Sequence, residues 1–380
     1  MLARMRARAL CLGFAFALAL VAPLGCSAAL EEDDVALDEE ENAVKVDTRS
    51  PAARAQYDAN VAFANSYRPR CTGAATPGRK RVLVTGYGRF QSITNNATGR
   101  MVASLVPGMA YPETVPAPSG QVDPPAPQLS VALGKMQLPN AGEVDVCAMV
   151  LPVFWDLAAI LVAKEAEAFG PDLVLMNGVA GSRQDVWIEL GAVNRAVALE
   201  DGSENLRPLP DDPSRLAPIL TSGPSERANL MSWRTVLSAA QQERDALARE
   251  TSDDTSFGDV VRGAKLAGFP RSSNTYLCNN VTYAMGHLMD NPGLTVSLLR
   301  ASPRVAGKPN DVRVRITRDL RNVPRAFMHW PSELARVHTA SGARVMRAVI
   351  DAQLSRTTTD APTRGDKRDA APDLAGGPTF

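Results

Sequence analysis

Histidine is scarce in this 380-residue chain, with three residues, His287, His329 and His338. The five cysteines include no C-x-x-C pair. A multi-ligand His/Cys zinc site has too few members, so neither a metal nor any other cofactor is expected. Aromatic residues make up 5%, too few for the stacking platforms of single-strand binders. Charge of one sign is not in excess either: 41 Lys and Arg face 41 Asp and Glu, which gives no electrostatic footprint for nucleic acid. No G-x-S-x-G occurs, removing the usual serine-hydrolase elbow, and no internal repeat is visible. What the chain does have is 45% hydrophobic residues, enough to bury a full-sized core.

The charge balance hides unlike pieces. Arg4, Arg6 and Arg8 precede an apolar run, CLGFAFALALVAPLG, and then Cys26-Ser27-Ala28-Ala29. That is the layout of a secretory signal over residues 1–26. Leu24-Gly25-Cys26 has the form of a lipoprotein cleavage box, with Pro23 where leucine is usual. The expectation is an exported protein of the cell envelope or periplasm, lipid-anchored at Cys26, with simple cleavage and secretion as the alternative. The acidic run EEDDVALDEEENAVKVD after the cysteine would stay solvated as a tether. Cleavage leaves Cys71, Cys147 and Cys278. In an oxidising compartment an odd count suggests one pair plus one free thiol, and Cys71 with Cys147 is the expected pair; three unpaired core cysteines are the alternative.

Strand patterns lie at 81–86, 144–153, 172–177, 186–199, 294–300 and 312–317, several of them continuous apolar runs of the kind buried on both sheet faces. Helix patterns cover 155–170, Cys278 to about Asp290, and 332–354. This alternation predicts one α/β domain with a largely parallel sheet. The expected layout is a signal peptide at 1–26, an acidic tether and N-terminal extension at 27–74, and a catalytic domain at 75–356. Insertions are expected near 107–142, 200–226 and 300–322, and 357–380, without apolar period, reads as a disordered tail.

Gly86-Tyr87-Gly88-Arg89-Phe90-Gln91 approaches a dinucleotide fingerprint but has Gln91 at the third glycine. Cys278 is the stronger candidate for chemistry. It stands where the polar stretch Ser272–Thr275 gives way to an amphipathic helix, so unpaired N–H groups and the helix dipole would stabilise its thiolate and a nearby oxyanion. A base is still needed. His287 is on the same helix and cannot fold back, and His338 falls in the C-terminal helix pattern, where a surface role is expected. That leaves His329, at a strand exit before Trp330-Pro331. Glu189, inside the apolar stretch VWIELGAVN, would want a partner if buried and could orient the imidazole. Each of the three also has a plain structural explanation when taken singly.

Five separated segments run in the order of a known family. Val84-Thr85-Gly86-Tyr87-Gly88-Arg89-Phe90 with Asn96-Ala97-Thr98 resembles its T-G-F-x-P-F turn and N-P-S. Leu151-Pro152-Val153 resembles its L-P-V, and Gly178–Arg183 with Glu189 and Asn194 its G-Q-A-G-G-R…E…N. Tyr276-Leu277-Cys278-Asn279 with Tyr283, then Phe327–Pro331, resemble its nucleophile and histidine motifs. The family is pyroglutamyl peptidase I (pyrrolidone-carboxylate peptidase), and the chain resembles a divergent secreted or lipoprotein member.

The resemblance implies a single-domain, three-layer α/β/α sandwich with a mostly parallel central sheet. It also implies a cysteine exopeptidase that hydrolyses the amide bond after an N-terminal pyroglutamyl or similar residue. Cys278 would be nucleophile, His329 base, Glu189 orienting acid, and Tyr87, Phe90, Asn96 and Val179 would bind substrate. The implied partner is a peptide with a blocked N-terminus; self-association is left open. Three departures bear on substrate: Val179 replaces a glutamine, Arg89 a proline, and the position of an oxyanion-assisting arginine falls on Leu199 unless Arg195 or Arg183 serves. They motivate two alternatives, a catalytically degenerate binder of peptide termini and an amidase or aminopeptidase for another N-terminal group.

Overall fold

The computed structural model describes residues 39–41, 44–73, 75–91, 93–179, 184–213, 215–250, 256–270, 275–308 and 311–356. The expected signal peptide, Cys26 and the tail at 357–380 lie outside the described residues, as do 180–183 and 271–274 within the motifs. The chain divides into two units, Met1–Ala36 and Leu37–Phe380, and all of the described residues belong to the second.

Strands β1 (Glu39–Glu41) and β2 (Lys45–Asp47) precede helix α1 (Pro51–Ser66). Then come β3 (Arg81–Tyr87), α2 (Ala97–Ser104), β4 (Ser130–Leu138), β5 (Gly142–Leu151), α3 (Leu157–Phe169) and β6 (Leu173–Val179). After these are β7 (Asp185–Glu189), β8 (Gly191–Val193), β9 (Glu226–Ala228), α4 (Trp233–Arg249), α5 (Phe257–Val260) and β10 (Gly263–Ala267). The last elements are α6 (Leu277–Asp290), β11 (Thr295–Leu298), β12 (Arg300–Ser302), β13 (Val312–Arg315), β14 (Arg325–Trp330) and α7 (Thr339–Leu354).

Seven strands form the central sheet in the order β10-β7-β14-β6-β3-β5-β4. The four middle strands β14, β6, β3 and β5 are mutually parallel, while β4 at one side and the β7–β10 pair at the other run against them. Every residue of β3, β6 and β14 is buried, which is why β3 and β6 read as largely apolar runs; β14 buries Arg325 and His329 in the same setting. Alternate side chains feed two cores. Leu83, Met149, Val174 and Phe327 meet α3 and α6 on one face, whereas Val82, Val146, Leu175 and Met328 meet the α2, α4 and α7 side on the other. The expected α/β/α sandwich with a mostly parallel central sheet is the observed fold.

Four expectations are corrected. The domain does not start at residue 75: within the tether and extension expected at 27–74, Val44, Val46, Tyr57, Val61 and Ala64 are buried in the main core. Helix α1 starts from a Ser50 cap with proline in its first turn, and Tyr57 donates to the Leu299 carbonyl at 2.7 Å. Apolar side chains four apart give α1 a face that only the core can cover, so the fold begins well before residue 75. The span 107–142 is not all insertion, because it contains β4, which pairs along its length with β5; as a half-exposed edge strand it lacks the apolar run of its neighbours. The pattern at 186–199 breaks at Leu190, where β7 gives way to β8 in a separate two-stranded pair with β9. The patterns at 294–300 and 312–317 form a small sheet, β1-β11-β13, apart from the central one.

Cys71 and Cys147 are disulfide-bonded, with Cα atoms 5.8 Å apart, and Cys278 is free. Among the described residues, the only trio of possible metal ligands is these two cysteines with Glu165. Its sulfurs are joined, and Glu165 accepts from the backbone N–H groups of Arg70 and Cys71, so the trio has no free ligand set.

Candidate active site

The site lies outside the carboxyl ends of the parallel strands, where open α/β sheets generally bind ligands. His329 is the penultimate residue of β14 and pairs across to Gly178 of β6, while Glu189 ends β7 opposite Phe327. Glu189 and His329 are therefore diagonal neighbours on one face of an antiparallel pair, within reach of long side chains. Glu189 Oε1 lies 2.9 Å from His329 Nδ1. Trp330 Nε1 donates to Asn177 Oδ1 at 3.0 Å, and Asn177 Nδ2 donates to the Thr85 carbonyl at 2.9 Å. These bonds tie β14, β6 and β3 together one step below the site.

Cys278 is the second residue of α6. Tyr276 precedes the helix and no side chain caps it, so the first-turn N–H groups are outside the helical ladder and uncapped. Asn279 fixes this end: its amide donates to the carbonyls of Val193 and Arg195 and accepts from the Val193 N–H, all within 2.9 Å. Asn280 Nδ2 adds a 2.9 Å bond to Asp156. The sulfur rests over Gly178, where a Cβ would come within 2.9 Å of it and 2.8 Å of the Phe327 ring. Glycine is what lets the sulfur sit beside the sheet.

Burial works to push the His329 proton off, but the Glu189 carboxylate and the Cys278 sulfur outweigh it, raising the imidazole to about 10. Below that pH the ring carries two protons. Nδ1 is held by Glu189, and Nε2 is buried with no hydrogen-bond partner among the described residues. A thiol, an imidazole and a carboxylate in a row can perform nucleophilic acyl transfer.

A narrow cleft, with about 20 Å³ of interior space within about 310 Å³ counted out into open solvent, begins at Cys278. All four expected substrate residues, Tyr87, Phe90, Asn96 and Val179, line it. Phe90 meets Tyr276 edge-on at 6.0 Å, and Tyr276 meets Trp155 at 5.4 Å. Asn96 has a second task, capping α2 through Thr98. Three further lining residues, Val153, Tyr276 and Leu277, stand inside motif segments the sequence displayed without a role for them.

The other candidates lie elsewhere. His287 faces Arg227 at 2.7 Å. His338, expected at the surface, is buried against Phe257, because the chain makes a tight turn before α7 and folds the ring inward. Arg89 is locked in a buried pair with Asp123 at 2.6 Å. Leu199 and Arg195 are exposed and do not line the cleft; Arg183 is outside the described residues.

No protein-family model and no curated protein matches the chain. Among solved structures, it is similar to pyroglutamyl peptidase I of Bacillus amyloliquefaciens, at 13% identity and a TM-score of 0.46 over 74% of this chain and 99% of that one. It is also similar to two mutant forms of the pyrrolidone carboxyl peptidase of Pyrococcus furiosus, each at 17% identity and a TM-score of 0.43 over 73% of this chain and 99% of the other.

Proposed function

We propose that the chain is a cysteine exopeptidase hydrolysing the amide bond after an N-terminal pyroglutamyl or similar residue. The observation that carries the reading is the contact of Glu189 with His329 Nδ1 at 2.9 Å, on an imidazole whose ionisation also responds to the Cys278 sulfur at the end of the cleft. The motif resemblance supplies the substrate class. Cys278 attacks the acyl carbon as thiolate, and the first-turn N–H groups of α6 stabilise the oxyanion. His329 then gives its Nε2 proton to the leaving amine, and Glu189 keeps the ring oriented and charged. Water deprotonated by the neutral imidazole releases the acyl group and restores the thiolate–imidazolium pair.

Export with a lipid anchor at Cys26 belongs to the same proposal. The signal-like first 26 residues support it, and so does the disulfide, a bond rare in reducing compartments. Cys26→Ser is expected to move the protein from the membrane to the soluble fraction.

The test of activity is release of a chromophore from a pyroglutamyl anilide. Cys278→Ala and Cys278→Ser are each expected to abolish it, and wild-type activity in either variant removes the thiol mechanism. A chain that only binds peptide termini would show no release and an ordinary, slow alkylation of Cys278 near neutral pH.

A further inference from the structure

Three neighbouring strands bring three residues into a row. His329 pairs with Gly178, and on the other side of β6 the β3 ladder ends with Thr85 opposite Met176. Two residues further along β3, on the same strand face as Thr85, Tyr87 shares the cleft lining with Cys278. The Cys278 sulfur lies over the middle member, Gly178. It therefore has an imidazole on one side and a phenol on the other.

This order orients the substrate. The leaving amine must lie on the His329 side to receive its proton, so the acyl residue extends the opposite way, toward Tyr87. The cleft agrees, since Tyr87 and Phe90 line it and His329 does not. The Tyr87 hydroxyl is buried and makes no hydrogen bond among the described residues, on a residue 4% exposed. Tyr276, the other phenol lining the cleft, already donates to the Glu200 carbonyl. At Val179 the cleft offers a hydrocarbon side chain where a polar contact was expected from the motif.

We infer that Tyr87 is a specificity residue, its hydroxyl donating a hydrogen bond to an acceptor on the acyl residue, such as the ring carbonyl of a pyrrolidone. The inference rests on the function proposed above for its substrate class. Burial holds the phenol well above its ordinary pKa, with the nearby sulfur adding to the effect, so the group stays a neutral donor wherever the imidazolium survives. An acyl group lacking the acceptor leaves that donor buried and unsatisfied, a penalty of roughly ten- to a hundredfold.

Tyr87→Phe removes the hydroxyl and keeps the ring. Two readouts are taken on the full chain. The first is the ratio of kcat/KM for pyroglutamyl anilide over cyclopentanecarbonyl anilide, expected to fall at least tenfold in the variant. The second needs no turnover: 2-pyrrolidone should slow alkylation of Cys278 by iodoacetamide, and half-protection should need at least tenfold more of it in the variant. An unchanged ratio, or equal protection of both proteins, overturns the assignment, as does an absence of protection in the wild type. Wild-type protein that fails to cleave the pyroglutamyl anilide, yet is protected in a Tyr87-dependent way, overturns the proposed activity and leaves the assignment standing.

Discussion

Glu189→Gln tests how the site keeps its proton. Glutamine matches glutamate in shape and can still accept from His329 Nδ1–H at the observed 2.9 Å, so the change removes charge and preserves geometry. Burial opposes the imidazolium, and the carboxylate is the largest contribution that overcomes it on the way to about 10. Removing an opposite charge at this range lowers a pKa by about 1–3 units. The basic limb of kcat/KM against pH, expected near 10 in the wild type, should therefore move to roughly 7–9. For a shift of about 2 units, activity at pH 9 falls about tenfold, while the loss near pH 6 is small. The sign extends to stability. A histidine raised on folding contributes fully below its ordinary value and loses that contribution as pH rises toward about 10, so the stability difference between wild type and variant should be largest at and below neutral pH and small near pH 10. The assay is a pH series of anilide hydrolysis beside thermal unfolding. A basic limb that stays in place in a folded variant refutes the role given to Glu189.

Gly178→Ala puts a methyl within 2.9 Å of the Cys278 sulfur and 2.8 Å of Phe327, and should cost at least about tenfold in activity with the fold retained; circular dichroism and hydrolysis measured together check it, and full activity contradicts the packing. Reducing the Cys71–Cys147 bond, which closes a loop across a sequence separation of 76, should lower stability by about 4 kcal/mol in the chain-entropy account, read as a drop in unfolding midpoint with a phosphine reductant. Asp201 is buried and pushed up to about 7 by that burial, against hydrogen bonds from Ser203 and Trp155. An acid raised on folding favours the native state below its ordinary value and loses that advantage as pH climbs to about 7, so stability should decline from pH 4 to pH 7 by more in the wild type than in Asp201→Asn. Equal slopes in urea titrations would remove that assignment.

The parts of the fold legible in the sequence were those buried on both sides. β3, β5 and β6 announce themselves as apolar runs, and α6 through its spacing of Val281, Ala284, Met285 and Leu288. β4 was hidden because an edge strand needs only one apolar face and Gly134 with Lys135 interrupts it. α1 is masked by its neighbour: Ser50-Pro51 is a recognisable helix start, but it comes directly after an acidic run, and the two read together as an extension outside the domain. Periodicity also cannot say which sheet a strand joins, so β11 and β13 looked like central strands. At the site, Cys278, His329 and Glu189 could be nominated because their chemistry is conspicuous among so few histidines and cysteines. The meeting of Tyr87 and His329 across Gly178 depends on register, which the sequence does not display; Gly178 was visible only as a motif letter.

The most direct measurement is to stop the reaction of the full chain with a pyroglutamyl ester in acid within the first turnovers and map the covalent product by mass spectrometry. A pyroglutamyl group on the peptide containing Cys278, absent from Cys278→Ser and chased off by further incubation, is the predicted result. Steady turnover with that peptide unmodified, or with the acyl group on another residue, contradicts the assignment of the nucleophile.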